Sequence, residues 1–203
     1  MKTILQIVLG LIIVILAYLL YDSLMQPIRF RKEVNYRESL VVERLKQIRT
    51  LQVAYKDGYS QFTGSFDTLI DYYKTGTIIT IKQTGSEDDS IAVAQGKVRR
   101  DTNRIAVKDS LFKEIPDFNI DSVRYVPLVG TQFKMAAVIF PSSSKVQIPL
   151  FEASVTNKEY LDGLDPQLII NKSDSEKSEK KFPGLKVGSI EMPNNNAGNW
   201  KGE

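Results

Sequence analysis

Few residue types in this chain can do chemistry. Its 203 residues include no Cys and no His. Disulfides, thiolate nucleophiles and Cys-ligated metals are therefore excluded. The common zinc sites and the usual acid/base group near neutrality go with them. Carboxylates, lysines and hydroxyls remain. Asp162 and Asp165, with Glu159 nearby, offer oxygen ligands of the kind Ca²⁺ takes. The segment LDGLDP lacks the alternating spacing of a calcium loop, however, and its Asp and Gly residues suit a plain turn. The acidic stretch Glu87, Asp88 and Asp89 reads as a solvated turn. Ser142, Ser143 and Ser144 precede Lys145, but a Ser/Lys nucleophile needs a lysine desolvated enough to lose its proton. Neighbours in a tight hairpin stay wet. No two carboxylates are placed for glycosidase-type chemistry. Asn171-Lys172-Ser173 fits the glycosylation pattern, a triplet common by chance. The sequence assigns no catalytic residue, no metal and no cofactor, and a non-enzymatic protein is the expectation.

Two groups suit partner binding instead. Tyr59, Phe62 and Phe66 make the connector GYSQFTGSF unusually aromatic. Rings in such a loop belong to the core if buried and to a docking surface if exposed. Lys97, Arg99, Arg100, Arg104 and Lys108 form a basic cluster, with Arg99 and Arg100 at its centre. It suits anionic headgroups or an acidic partner, or is simply a solvated face. No nucleic acid is expected: 27 Lys and Arg against 24 Asp and Glu leave a net charge of only +3, and no aromatic residues interleave the basic ones for base stacking.

The elements that must carry these groups begin with a greasy segment. Thr3 to Tyr21 contains no charged residue. As a helix it would span about 28 Å, close to the hydrocarbon thickness of a bilayer. It is longer than a signal-peptide core, is followed by no small-residue cleavage site, and has no polar stripe. Tyr18 and Tyr21 lie toward its far end, as interfacial aromatics do. Residues 1–27 are expected to be a transmembrane anchor, ended or kinked by Pro27. Residues 28–57 should form a long amphipathic helix. Val34, Val41, Ile48 and Tyr55 recur every seven residues, widened by Leu45 and Leu51, with Glu38, Arg44, Lys46 and Arg49 on other faces. Arg37 and Arg44 at the second seam position argue against a strict coiled coil and for packing on the protein's own sheet. Gly58 is expected to cap the helix.

Residues 58–203 should form an α+β domain on that helix. Ser65 caps a short helix through Tyr73, ending near Gly76. Residues 77–82 read as a strand, 91–100 as either helix or strand, and 104–108 as a strand. Residues 123–128, 132–140 and 145–155 read as an antiparallel meander. Pro127 and Pro149 should sit at edges or bulges. A helical turn is expected at 157–161, a short strand at 167–171 and a charged surface loop at 173–181. Part of the Gly- and Asn-rich tail should pack through Phe182, Leu185, Val187, Ile190 and Trp200.

This order of elements resembles that of type IV pilins and of the pseudopilins of type II secretion systems. The likeness is best over residues 48–73, where Tyr55, Gly58, Tyr59 and Leu69 match the turn that closes the pseudopilin helix. It implies a pilin-like α+β fold and an assembly or scaffold role in a secretion- or pilus-related machine. Partners would be the bilayer and envelope proteins, or further copies through the long helix. No basic leader ending in Gly is seen and no acidic residue precedes Asp22, so prepilin processing and Glu-guided filament entry are not expected. The FPGLKVGS and NNNAGNW elements are similar to those of a group of Bacteroidota single-pass membrane proteins, which implies no activity. Arg29, Arg31 and Lys32 alone would hold the domain in the cytoplasm. The resemblance instead implies a single-pass inner-membrane protein with a periplasmic domain. The alternative is a membrane-tethered ligand-binding or sensor module, which needs a concave pocket.

Overall fold

The computed structural model describes residues 2–84, 99–142 and 146–202. It is an α+β protein built on one long helix. Helix α1 runs without interruption from Lys2 to Tyr59, 58 residues with Pro27 inside it. The expected break at Pro27 does not occur. Proline removes one backbone hydrogen bond and crowds one carbonyl, and the turns on either side are strong helix formers.

The two halves of α1 differ in their surroundings. Every side chain described up to Leu24 is exposed. From Val34 onward the helix buries a stripe of Val34, Val41, Leu45, Ile48, Leu51 and Tyr55. This is the stripe expected from the heptad spacing. Helix α1 continues through Gly58, and the left-handed residue that ends it is Ser60, with φ 58°. The Ser60 amide donates to the Lys56 carbonyl at 2.7 Å.

Helix α2 spans Phe66–Thr75, with the Ser65 hydroxyl accepting from the Thr68 amide and Asp67 in its first turn. A side chain at Gly76 would stand 2.4 Å from the Tyr72 carbonyl, so only glycine fits where α2 turns into β1. Strand β1 (Thr77–Thr84) pairs antiparallel with β2 (Arg99–Ala106). One helical turn, α3, follows at Val107–Ser110, where a strand was expected to continue through Lys108. The acidic turn and most of the ambiguous 91–100 stretch lie outside the described residues.

The expected strand at 123–128 is instead coil, preceded by a 3₁₀ turn at Ile120–Ser122. Its inward residues Ile120, Val123 and Val126 are spaced by three, which suits tight helical turns rather than alternation. Only an isolated bridge joins Tyr125 to Gln132. A three-stranded antiparallel sheet follows, ordered β3 (Lys134–Pro141), β4 (Gln147–Thr156) and β5 (Gly184–Gly188). Pro149 lies in the central strand, but β5 pairs only with residues 152–156, so the flank of Pro149 away from β3 is open. The tail segment Ala197–Asn199 covers the outer edge of β5.

Between β4 and β5 stand two helices. Helix α4 is the expected turn at Asn157–Tyr160, opened by a Thr156–Glu159 capping box. Helix α5 spans Pro166–Ser178, where a strand at 167–171 and a loop from 173 were expected. Asp165 caps it through the Leu168 amide and Pro166 occupies the first turn. That combination favours helix over the β-branched pair in QLII. The pairs Lys172–Glu176 at 2.7 Å and Lys177–Asp174 at 3.2 Å line the turns that read as loop. The core lies where the α1 stripe meets Phe62, Phe66 and Leu69 on one side and Phe151, Ala153, Val155 and Val187 on the other.

Candidate functional site

The aromatic connector divides. Phe62 and Phe66 are buried, and Phe62 packs on Phe151 with centroids 4.8 Å apart. They are core residues and offer no surface to a partner. Tyr59 is 57% exposed. It stacks on Tyr55 at 4.6 Å and meets the edge of Tyr72 at 5.8 Å. Sequence pattern alone does not separate the three rings, because the split follows from where the helix ends.

Tyr59 lines a cleft of about 1310 Å³. Its floor is the last turns of α1 at Val53 and Ala54, one wall is the start of β1 at Ile78 and Ile79, and the other is Asn195–Ala197. The Tyr72 hydroxyl donates to the Ala54 carbonyl at 2.8 Å. Burial pushes the Tyr72 pKa up, and Tyr59 and Asp57 add to that, so the phenol stays a donor. At the rim Arg49 donates to the Asn196 carbonyl at 3.4 Å and stands 5.9 Å from the Trp200 ring centroid. Lys56 lies 5.3 Å from the Phe62 centroid. The cleft is thus an amphipathic concavity with aromatic, amide and cationic groups. Among its described lining residues no nucleophile–base pair is assembled.

Arg99 and Arg100 begin β2 opposite Thr84 and Gln83, and their side chains lie outside the described residues. The structure does not bring them to the Tyr59 cleft within what is described.

The carboxylates weighed for calcium have separate tasks. Glu159 accepts from the Thr156 amide and hydroxyl and pairs with Lys134 at 2.8 Å. Burial works to raise its pKa, but the bonds from Lys134 and Thr156 outweigh it and hold the carboxyl below its ordinary range. Asp165 caps α5 and accepts from Gln26. Asp162 offers its backbone carbonyl to Arg37. Among the described residues no group of three or more carboxylates could hold a metal ion. Ser142 closes the β3–β4 turn through its amide to Val146, and the two serines after it lie outside the described residues.

A second polar cluster went unread in the sequence. Glu38, placed there on an outer face, is half-buried where α1 meets α4 and α5. It accepts from the Tyr160 hydroxyl at 3.1 Å and from Lys172 at 3.0 Å. Glu176 accepts from Lys172 at 2.7 Å and from the Asn157 amide at 2.6 Å. Burial pushes the Tyr160 pKa up, reinforced by Glu38. Burial alone would lower the Lys172 pKa, but its bonds to Glu176 and Glu38 carry it upward, so the ammonium stays charged. Arg37, which reads as a defect in the apolar seam, pairs with Glu33 at 2.9 Å and donates to the carbonyls of Tyr160 and Asp162. Arg44 donates to Ser122 at 2.9 Å. The polar seam positions are therefore clamps on the domain. The signal available was their repeat: Arg37 and Arg44 stand seven residues apart on a stripe that is otherwise apolar.

Comparison of the chain with known protein families, with curated proteins and with solved structures finds no match. Among the described residues one helix is long and apolar enough to cross a membrane. Its most apolar 18-residue window has a mean hydropathy of 2.4, and none of that window is buried.

Proposed function

We propose that this chain is a membrane-anchored, non-enzymatic envelope protein. Its N-terminal half-helix spans the inner membrane once and its domain stands in the periplasm. In this reading it is an assembly or scaffold subunit of a secretion- or pilus-related machine, with a pilin-like arrangement of spine helix and sheet. The observation that carries the reading is the contrast within α1: an apolar stretch with none of its surface buried runs without a break into the stripe that nucleates the core. A continuous helix of this kind tethers a domain above a bilayer and leaves the outer helix face free for lateral packing. The ligand-binding alternative keeps one specific support, the 1310 Å³ cleft at Tyr59, whose size suits a small molecule or peptide.

In vivo cross-linking followed by detergent extraction tests the leading reading. It predicts adducts with envelope proteins or with further copies of the chain, reduced when the outer face of α1 is substituted at Tyr36 and Thr50. Recovery of monomer alone would contradict it. A C-terminal reporter active only outside the cytoplasm tests the orientation separately. A substitution at Tyr59 that abolishes a measured small-molecule affinity, while leaving the adducts intact, would favour the alternative.

A further inference from the structure

Pro27 lies inside α1. It has no amide to donate to the carbonyl four residues earlier, at Ser23, and its ring crowds that carbonyl. Crowding on one side of a helix opens the turns there, so an unrestrained helix bends away from its proline. Pro27 faces the groove between α1 and the start of α5, with Phe30, Arg31 and Leu168. The intrinsic bend therefore carries the N-terminal half of α1 away from α5.

Among the described residues one hydrogen bond opposes that bend. Gln26, directly before the proline, donates from Nε2 to Asp165 Oδ2 at 2.7 Å. Among the described hydrogen bonds, none joins a residue before Gln26 to the domain. Beyond Pro27 the grip is firm: Val34 is buried, Arg37 holds two carbonyls of the α4–α5 connection, and Lys172 bridges Glu38 and Glu176. The helix is thus immobilised on one side of Pro27 and held on the other by an exposed pair. Such pairs are among the weaker ties in a folded protein.

We propose that Pro27 is a hinge and that the Gln26–Asp165 pair is its latch, together setting the angle between the N-terminal half of α1 and the domain. Closed, the latch holds the N-terminal half of α1 in one orientation on the domain. Open, the proline bend swings the apolar segment away from α5. The device does not depend on the role assigned to the protein, since it follows from the helix, its proline and this hydrogen bond.

The absence of cysteine makes the test direct. Nitroxide labels on Val14→Cys and Lys177→Cys, both exposed positions, measure the distance across the hinge in the full chain in nanodiscs. Val14 lies about 20 Å along the helix from Pro27, so a bend of about 20° moves its label by about 7 Å. The latched helix predicts one narrow distribution. Gln26→Ala should add a second population displaced by about that amount. Restoring the missing amide in the double variant Gln26→Ala/Pro27→Ala should return the single narrow peak. Both side chains are exposed, so neither change threatens folding, and the cap that Asp165 provides to α5 is untouched. An unchanged distribution in Gln26→Ala would overturn the latch. A displaced population that persists without the proline would overturn the hinge.

Discussion

The first and second halves of α1 share a backbone but not a pattern of burial. Ile7 through Leu20 present apolar side chains on all sides and bury none of them, whereas residues 34–55 present one buried stripe flanked by charge. A helix apolar all round needs an apolar environment, and one apolar on a single face needs a partner surface. The comparison teaches that helix formation says little about what a helix is for. The pattern around its axis decides that. It also shows how charge behaves in each half. The apolar segment has no charged residue between Thr3 and Tyr21, while the spine tolerates Arg37, Glu38 and Arg44 because each finds a partner on the domain.

Charging the anchor breaks the comparison most severely. Leu11→Arg together with Ile15→Arg should cost about 3 kcal/mol per residue of membrane insertion. Alkaline extraction of membranes should find the variant in the soluble fraction, still folded. Trimming a leucine in each half sharpens the contrast. Leu45 is fully buried, and Leu45→Ala should lower domain stability by about 2–5 kcal/mol in urea unfolding. Leu11→Ala, at a 60% exposed position, should change it by less than about 0.5 kcal/mol.

Gln52 tests the polar side of the spine. Its amide, fully buried, donates to the Thr63 carbonyl at 2.6 Å and accepts from the Thr63 amide at 3.1 Å. Gln52→Leu fills the space but strands both backbone groups, at a cost of about 1–3 kcal/mol by the same unfolding measurement.

The smallest effect is a pH dependence. The Glu159 carboxyl is held below its ordinary value of 4.5. The folded state therefore resists a proton that the unfolded chain accepts. The stability from this group is whole above pH 4.5 and drains as pH falls through the depressed folded value. Lys134→Ala removes one cause of the depression, so the urea midpoint should fall less steeply toward about pH 3 than in the parent chain.

Much of this architecture was legible in the residues. The heptad stripe of α1, the Ser65 cap, β1, β3, β4 and the turn at 157–160 all follow from spacing and capping chemistry. The failures have physical causes. Pro27 marks a weak point in a helix that its neighbours carry through. QLII has strand-like residues, but Asp165 and Pro166 commit the segment to helix before they count. The coil after Ile120 buries residues with a period of three, which an alternation test misses. Least legible was the contact surface. Tyr59, Phe62 and Phe66 are equally aromatic, and their separation into one exposed and two buried rings depends on the close approach of α2 and β4. The Glu38–Lys172 contact joins residues from opposite ends of the chain, a distance that no local pattern encodes.

A cysteine-accessibility scan along α1 tests the central claim most directly. Single cysteines placed from Val8 to Tyr21, and at Lys46, Thr50 and Val53, would be exposed in native membranes to a water-soluble maleimide. Every one of these positions is exposed in the fold. The account predicts that the N-terminal series stays unlabelled until detergent is added, while Lys46 and Thr50 react at once. Prompt labelling throughout the N-terminal series, in intact membranes, would contradict it.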